Sequence, residues 1–278
     1  MAGKRSIKAG NAVLIVLLCV VAVYWLSPLL LALMNSFKSQ GELFTNILAL
    51  PDKIDFKNYM TTFKKMNYLH SFVNSVVIVT IGMTGIAVFS AMAGWALCRT
   101  KTKLSALLFG LFVFSMLIPF NSIMIPLYRV ANTLRISNST FGMGLIYTGL
   151  GVSMAIFMYH GFVKNIPMEI EEAAYMDGCS MPSIFFRVIL PLLLPITATI
   201  CIMNILWMWN DFLLPIIMLQ TPKNYTLLLS TNMLFGQYSS DWPAILSALI
   251  LTVIPVIVLY AFLQKYILKG IIDGAVKG

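Results

Sequence analysis

The sequence predicts an all-α integral membrane protein with six transmembrane helices, and three observations carry that reading. Hydrophobic residues make up 59% of the 278 and charged residues only 10%, with a mean hydropathy of +0.88; a water-soluble domain of this length does not carry such a balance. Six apolar segments reach the ~20 residues that a helix needs, at about 1.5 Å per residue, to cross the hydrocarbon layer. Those six segments contain no Asp, Glu, Lys or Arg. Backbone groups in lipid must be satisfied within the segment itself, which selects helices.

The segments run in order from about 11 to 34, 72 to 97, 105 to 127, 140 to 162, 188 to 210 and 243 to 264. The first follows a basic prefix, Lys4, Arg5 and Lys8, and superficially resembles a secretory signal. It is longer than an h-region of roughly 7 to 15 residues and ends on no convincing small-x-small site, so it reads as an uncleaved span. The fifth is interrupted at its start by Pro191 and Pro195. The apolar run Phe212 to Leu219 after it is too short to span and reads as re-entrant or interfacial. Almost no chain is left over for an aqueous core, so residues 1–278 read as a single membrane domain with short loops.

Six spans put both termini on one side. That side collects the basic prefix, the tight turn Arg99-Thr-Lys-Thr-Lys103, Lys164, Arg187, Lys265, Lys269 and Lys277, most of them close to span ends. The opposite side spreads Lys38, Lys53, Lys57, Lys64 and Lys65 through one longer loop. Short basic connections are cytoplasmic signals, so the termini and the segment 163–187 are expected in the cytoplasm. The net charge of +9 is accounted for by this orientation, and no nucleic-acid partner is expected.

Uncharged spans argue against a proton- or sodium-coupled carrier, which holds ionisable groups at membrane depth. His160, near the end of the fourth span, reads as structural or interfacial. Asn74, Ser75, Ser115, Asn121, Tyr147, Thr148, Asn204, Trp207 and Asn210 could line a path for a neutral, hydroxyl-rich solute. They could equally serve interhelical hydrogen bonds and interfacial belts, and both readings stand. Catalysis finds no support: the two histidines lie near opposite faces, no metalloprotease, nucleophile-elbow or phosphate-loop motif occurs, and Cys19, Cys98, Cys179 and Cys201 are scattered without a metal or disulfide pattern. Uphill movement would therefore draw on another chain, which needs a docking site.

Of ten acidic residues, four (Glu169, Glu171, Glu172 and Asp177) fall between positions 169 and 177. Asn165-Ile166-Pro167 opens this stretch, and carboxylates near the positive end of a helix favour a short helix there. Ala173 and Ala174 keep part of its surface small, Gly178 permits a sharp turn, and Ser180 can cap a second helix starting near Pro182. From the residues alone, a docking element and a solvated loop are equally good descriptions. Glu169 and Glu171 read as no more than a favourable first turn.

The stretch Glu172-Ala173-Ala174, three residues, Gly178, nine residues, Val188, one residue, Leu190-Pro191 resembles the E-A-A-x(3)-G-x(9)-I-x-L-P signature of permease subunits of binding-protein-dependent ATP-binding cassette importers. Val188 replaces the usual Ile. Shorter pieces in the same order resemble the carbohydrate-uptake branch, close to the smaller maltose-type permease. They are Gly94-Trp95-Ala96-Leu97-Cys98-Arg99, with Trp95 where tyrosine is commoner, then Ile118-Pro119, Ile125-Pro126-Leu127-Tyr128, Trp209-Asn210-Asp211-Phe212 and Gly274-Ala275-Val276-Lys277-Gly278. The resemblance covers about residues 10 to 278. It implies a type I importer permease fold with a cytoplasmic coupling helix, in a bacterial or archaeal cell membrane.

The same resemblance makes Glu172, Ala173, Ala174 and Gly178 the ATPase-coupling residues and Gly274, Ala275, Val276, Lys277 and Gly278 a carboxyl-terminal ATPase contact. Gly236, Gln237, Tyr238, Asp241 and Trp242 fall where a binding-protein contact loop would be. The implied partners are a second permease subunit, an ATPase dimer, an external solute-binding protein and membrane lipid. ATP and Mg belong to the ATPase, with no cofactor on this chain. Sugar import is the leading expectation, with glycerol-phosphate or another polar solute as the alternative importer substrate and a self-sufficient secondary carrier as the alternative class.

Overall fold

The computed structural model describes residues 9–236 and 240–275. Among these, the regular secondary structure is helical, apart from one antiparallel bridge between Phe235 and Ser240. The helices are α1 (Ala9–Asn35), α2 (Gln40–Thr45), α3 (Lys57–Lys65), α4 (Tyr68–Arg99), α5 (Lys103–Ser115), α6 (Phe120–Thr133), α7 (Thr140–Val163), α8 (Glu169–Met176), α9 (Met181–Ile184), α10 (Leu190–Leu192), α11 (Leu194–Asn210), α12 (Leu213–Met218), α13 (Leu227–Ser230) and α14 (Trp242–Ala275). The basic prefix lies outside the described residues.

Four expected spans are single helices, namely α1, α4, α7 and α14. The other two are broken. Residues 105–127 do not form one helix, because α5 and α6 meet at 106°. Pro119 stands at the break with extended backbone, φ −65° and ψ 136°; it brings no N–H and disfavours a helical Ile118 before it. The fifth span bends by 73° between Leu192 and Leu194. Its approach is a π-helical turn, Phe185–Ile189, which loosens the ladder just where the Pro191 ring would otherwise meet the carbonyl of Arg187. The run Phe212 to Leu219 forms the six-residue helix α12, too short to cross.

The chain divides into two compact units, one made of residues up to Met66 with Thr231–Ile254, the other of Asn67–Ser230 with the residues from Pro255 on. In the first unit every α1 residue from Asn11 to Leu26 is exposed, as a lipid-facing or partner-facing helix requires. The end of α1 is pinned by polar groups. Asn35 donates its amide to the carbonyls of Leu31 and Ile47 at 2.8 and 3.0 Å, and the buried Lys38 ammonium donates to Asn46 and Ile47 carbonyls at 2.9 and 3.3 Å. Ser39 and Glu42 form a reciprocal capping box on α2. Hydrogen bonds from Ser39, its side chain first and its backbone N–H second, hold the Glu42 carboxyl below the usual range; the box is complete at neutral pH and is lost as pH falls through that lowered value.

The second unit is built on α4 and α7, with α11 packed on both and α5 on α7. These two helices approach closely because glycines face the contact, the small-residue packing expected without a hydrophobic drive between helices in lipid. A Cβ on Gly94 would sit 2.6 Å from Tyr159 Cβ and 3.1 Å from the His160 backbone nitrogen, and one on Gly144 would sit 2.7 Å from Ile81 Cβ. His160 itself is buried and stacks on Phe109 with ring centroids 3.8 Å apart, the structural role expected for it. With 32 residues, α4 is about 48 Å long at 1.5 Å per residue. That exceeds a hydrocarbon layer of about 30 Å, so a straight crossing leaves turns beyond it, and Arg99 is on the last one.

Candidate functional site

The acidic stretch is a helix, α8, between α7 and the bent α9–α11 path. Three carboxylates lie in its first turn, Glu169, Glu171 and Glu172, where the helix dipole favours them. Pro167 stands just before the helix, and Met168 opens it without a side-chain cap. The turn after it depends on Gly178, which has φ +82°, a left-handed backbone that costs a side-chain-bearing residue about 1 kcal/mol or more. Ser180 occupies the N-cap of α9, as expected, but its side chain makes no capping hydrogen bond. Pro182 supplies the preset backbone instead.

The two faces of α8 differ. Glu171 is turned inward and is more than a first-turn carboxylate. Its Oε1 accepts from Arg99 Nε at 2.7 Å and its Oε2 from Trp95 Nε1 at 2.9 Å. Arg99 also reaches it through Nη2 at 2.7 Å, with side-chain exposures of 17% and 11%, and donates to the Ile166 carbonyl at 2.8 Å. Ala174, three residues on and on the same face, packs against the core with Cys179 and Trp95. Glu172, Ala173 and Met176 are exposed on the other side, and Gly178 is exposed beyond them. The expected coupling residues are therefore divided: Glu172, Ala173 and Gly178 face out, and Ala174 faces in.

The six candidate path residues do not form one lining. Asn74 is buried and spends its amide on the carbonyls of Lys223 and Tyr225, at 2.8 and 3.0 Å. Asn204 is also buried and donates back along its own helix to Ile200, as Asn210 does to Leu206. Asn121 is exposed on α6. Trp207 lines a cleft of about 300 Å³ with Ser115, Ile118, Ile123, Asp211 and Leu214, and packs edge-on against Tyr147 at 5.3 Å. Tyr147 is fully buried and donates its hydroxyl to Asp211 Oδ2 at 3.0 Å.

Asp211 stands in the Trp209-Asn210-Asp211-Phe212 motif but was given no role from sequence. Its Oδ1 accepts the N–H groups of Leu213 and Leu214 at 3.0 and 3.3 Å, so the residue ends α11, starts α12 and holds Tyr147. The legible signal was a lone carboxylate directly after a span and before an apolar run. Asp211→Ala removes the cap and leaves a buried hydroxyl without its acceptor, so the stability loss should be about 2–4 kcal/mol. Thermal unfolding of the purified protein checks this. Tyr147→Phe should cost less, because it removes the donor together with the need for an acceptor.

In the candidate binding-protein loop, Asp241 caps α14 by accepting from Ala244 N at 3.2 Å and pairs with Lys65 at 3.8 Å. Trp242 is exposed at the start of α14, and Gly236 is exposed too. Gln237 and Tyr238 lie outside the described residues. So do Val276, Lys277 and Gly278 of the candidate carboxyl-terminal contact, whose Gly274 and Ala275 end α14.

Comparison with known proteins agrees with this architecture. Residues 86–273 match the family described as binding-protein-dependent transport system inner membrane component. The probable starch degradation products transport system permease protein AmyC of Thermoanaerobacterium thermosulfurigenes is 37% identical over 98% of this chain and 99% of its own. The melibiose/raffinose/stachyose import permease protein MelC of Bacillus subtilis is 33% identical over 96% of both. The fold is that of a chain in the crystal structure of a bacterial ABC transporter involved in import of the acidic polysaccharide alginate, with a TM-score of 0.80, 23% identity, and coverage of 96% of this chain and 99% of that one. A helical chain with broken spans, a short helix set between them and this match over most of its length belongs to the family of inner membrane components of binding-protein-dependent transport systems, as a multi-pass permease subunit.

Proposed function

We propose that the chain is one of two permease subunits of an ATP-driven importer that moves a sugar or oligosaccharide from an external binding protein into the cytoplasm. It lies in a bacterial or archaeal cell membrane with both termini cytoplasmic. The carrying observation is the outward face of α8, where Glu172, Ala173 and Met176 are exposed on a helix anchored from behind. A charged and small-residue face held rigidly in place suits docking of a separate ATPase, which would bind ATP and Mg and bias an alternating-access equilibrium. The sugar class is supported by relatives named for starch degradation products and for melibiose, raffinose and stachyose. The uncharged spans fit a neutral solute.

Reconstitution tests this. The complex in liposomes, with its binding protein and internal ATP, should accumulate labelled maltotriose or raffinose, and the binding protein should retain a neutral saccharide on purification. Uptake by this chain alone without ATP would return the secondary-carrier reading. A retained anionic solute would sink the sugar assignment and leave the importer assignment standing.

A further inference from the structure

In a chain whose charged residues are 10% of the total, one nearly enclosed ion pair joins two elements 72 residues apart. Arg99 closes α4, and Glu171 is on α8. The pair is satisfied on both sides: the carboxylate accepts N–H groups from Arg99 Nε and Trp95 Nε1 and has Arg99 Nη2 2.7 Å from Oε1, and Nη2 donates to the Ile166 carbonyl. Trp95 adds a third element, since its ring packs on Phe185 at 5.4 Å at the entry to the bent fifth span. Arg99 holds one carboxylate oxygen and Trp95 the other, so the two charge-assisted hydrogen bonds fix the orientation of the carboxylate as well as its distance.

We propose that Trp95, Glu171 and Arg99 form a joint that makes α8 and the end of α4 move as one body, and that these three are positioning residues for energy coupling. The proposal rests on the docking reading of α8. A surface helix of eight residues has little hold of its own; without the joint, a push on its outer face would swing α8 about the Gly178 turn. With it, the push is delivered to α4 and, through the Trp95–Phe185 contact, to the fifth span. Glu172 receives the force and Glu171 passes it on, although the two are adjacent.

The test uses the assembled transporter with Cys19, Cys98, Cys179 and Cys201 changed to serine and spin labels at Thr100→Cys and Tyr175→Cys, both exposed and outside the Glu172, Ala173 and Met176 face. Double electron–electron resonance compares the nucleotide-free complex with the complex loaded with ATP in EDTA. The expected result is one narrow distance shared by both states, and a distance in Glu171→Gln that broadens or shifts on ATP loading. Stimulation of ATP hydrolysis by the binding protein should fall about tenfold in Arg99→Gln, in Glu171→Gln and in the double variant alike, since all three remove one joint. A label distance that changes with nucleotide in the intact joint overturns the proposal. So do Glu171→Gln complexes with the original distance and stimulation, or losses that multiply in the double variant. Should Glu171→Gln fail to assemble, Trp95→Phe keeps the ring on Phe185 and loses only the N–H donor, with the same two outcomes expected. Docking is read separately: a wrong docking assignment leaves ATPase retention unchanged in Glu172→Lys, whereas a wrong joint leaves coupling unchanged in Glu171→Gln.

Discussion

Glu172→Lys is expected to abolish uptake while the chain stays in the membrane in normal amount. The carboxylate is exposed, so the substitution breaks nothing within the chain and its own folding should change by less than about 0.5 kcal/mol. On the proposed docking the environment would change: covered by a partner and facing a basic side chain, the carboxylate would be a desolvated charge whose loss costs about 3–5 kcal/mol, and a lysine would add repulsion. At about 1.4 kcal/mol per tenfold, that is a loss of roughly two to three and a half orders of magnitude in affinity. Gly178→Asp should act similarly. A Cβ there meets nothing within 4 Å, so the chain itself bears only the cost of the φ +82° backbone, about 1 kcal/mol. Any larger loss reports a partner occupying that open space. Immunoblots of membranes paired with uptake assays make the comparison, and normal uptake by both variants would remove the docking role.

Residue type and spacing made α8 legible because helix, glycine turn and second helix each rest on local rules. Gly178 was marked for a turn, and its backbone is left-handed. Four spans were legible by length and hydropathy for the same reason. The 106° break at Pro119 was not, because hydropathy sums over the proline as if the backbone were continuous, although Ile118-Pro119 was in view as a motif. The role of Glu171 was hidden for a different reason. Position 171 is as acidic and as early in the helix as 169 and 172, and only the rotation of α8 against α4 separates an inward carboxylate from an outward one. Two of the polar path residues were hidden in the same way: Asn74 and Asn204 look alike in sequence, and only tertiary placement shows that both spend their amides on main-chain carbonyls.

The second large effect is expected in the α4–α7 seam, from Gly94→Leu. The first atom of any side chain at 94 meets Tyr159 Cβ at 2.6 Å, the His160 nitrogen at 3.1 Å and the Ile156 carbonyl at 3.3 Å. Two of these are backbone and the third is fixed to it, so no rotamer change makes room and the helices must part. Overpacking of this kind costs about 1–3 kcal/mol for a small addition and more for a large one, so Gly94→Ala should lower the unfolding temperature of the purified transporter measurably and Gly94→Leu should prevent its assembly. Gly161→Ala is the control, because a Cβ there meets nothing within 4 Å and the change should gain up to about 1 kcal/mol of helix propensity. Equal stability of Gly94→Ala and Gly161→Ala would refute the close approach of α4 and α7. Position 94 also directly precedes Trp95 and lies five residues before Arg99. An α4 displaced from α7 there carries the Trp95–Glu171–Arg99 joint with it, so Gly94→Ala should reduce coupling out of proportion to its modest loss of stability.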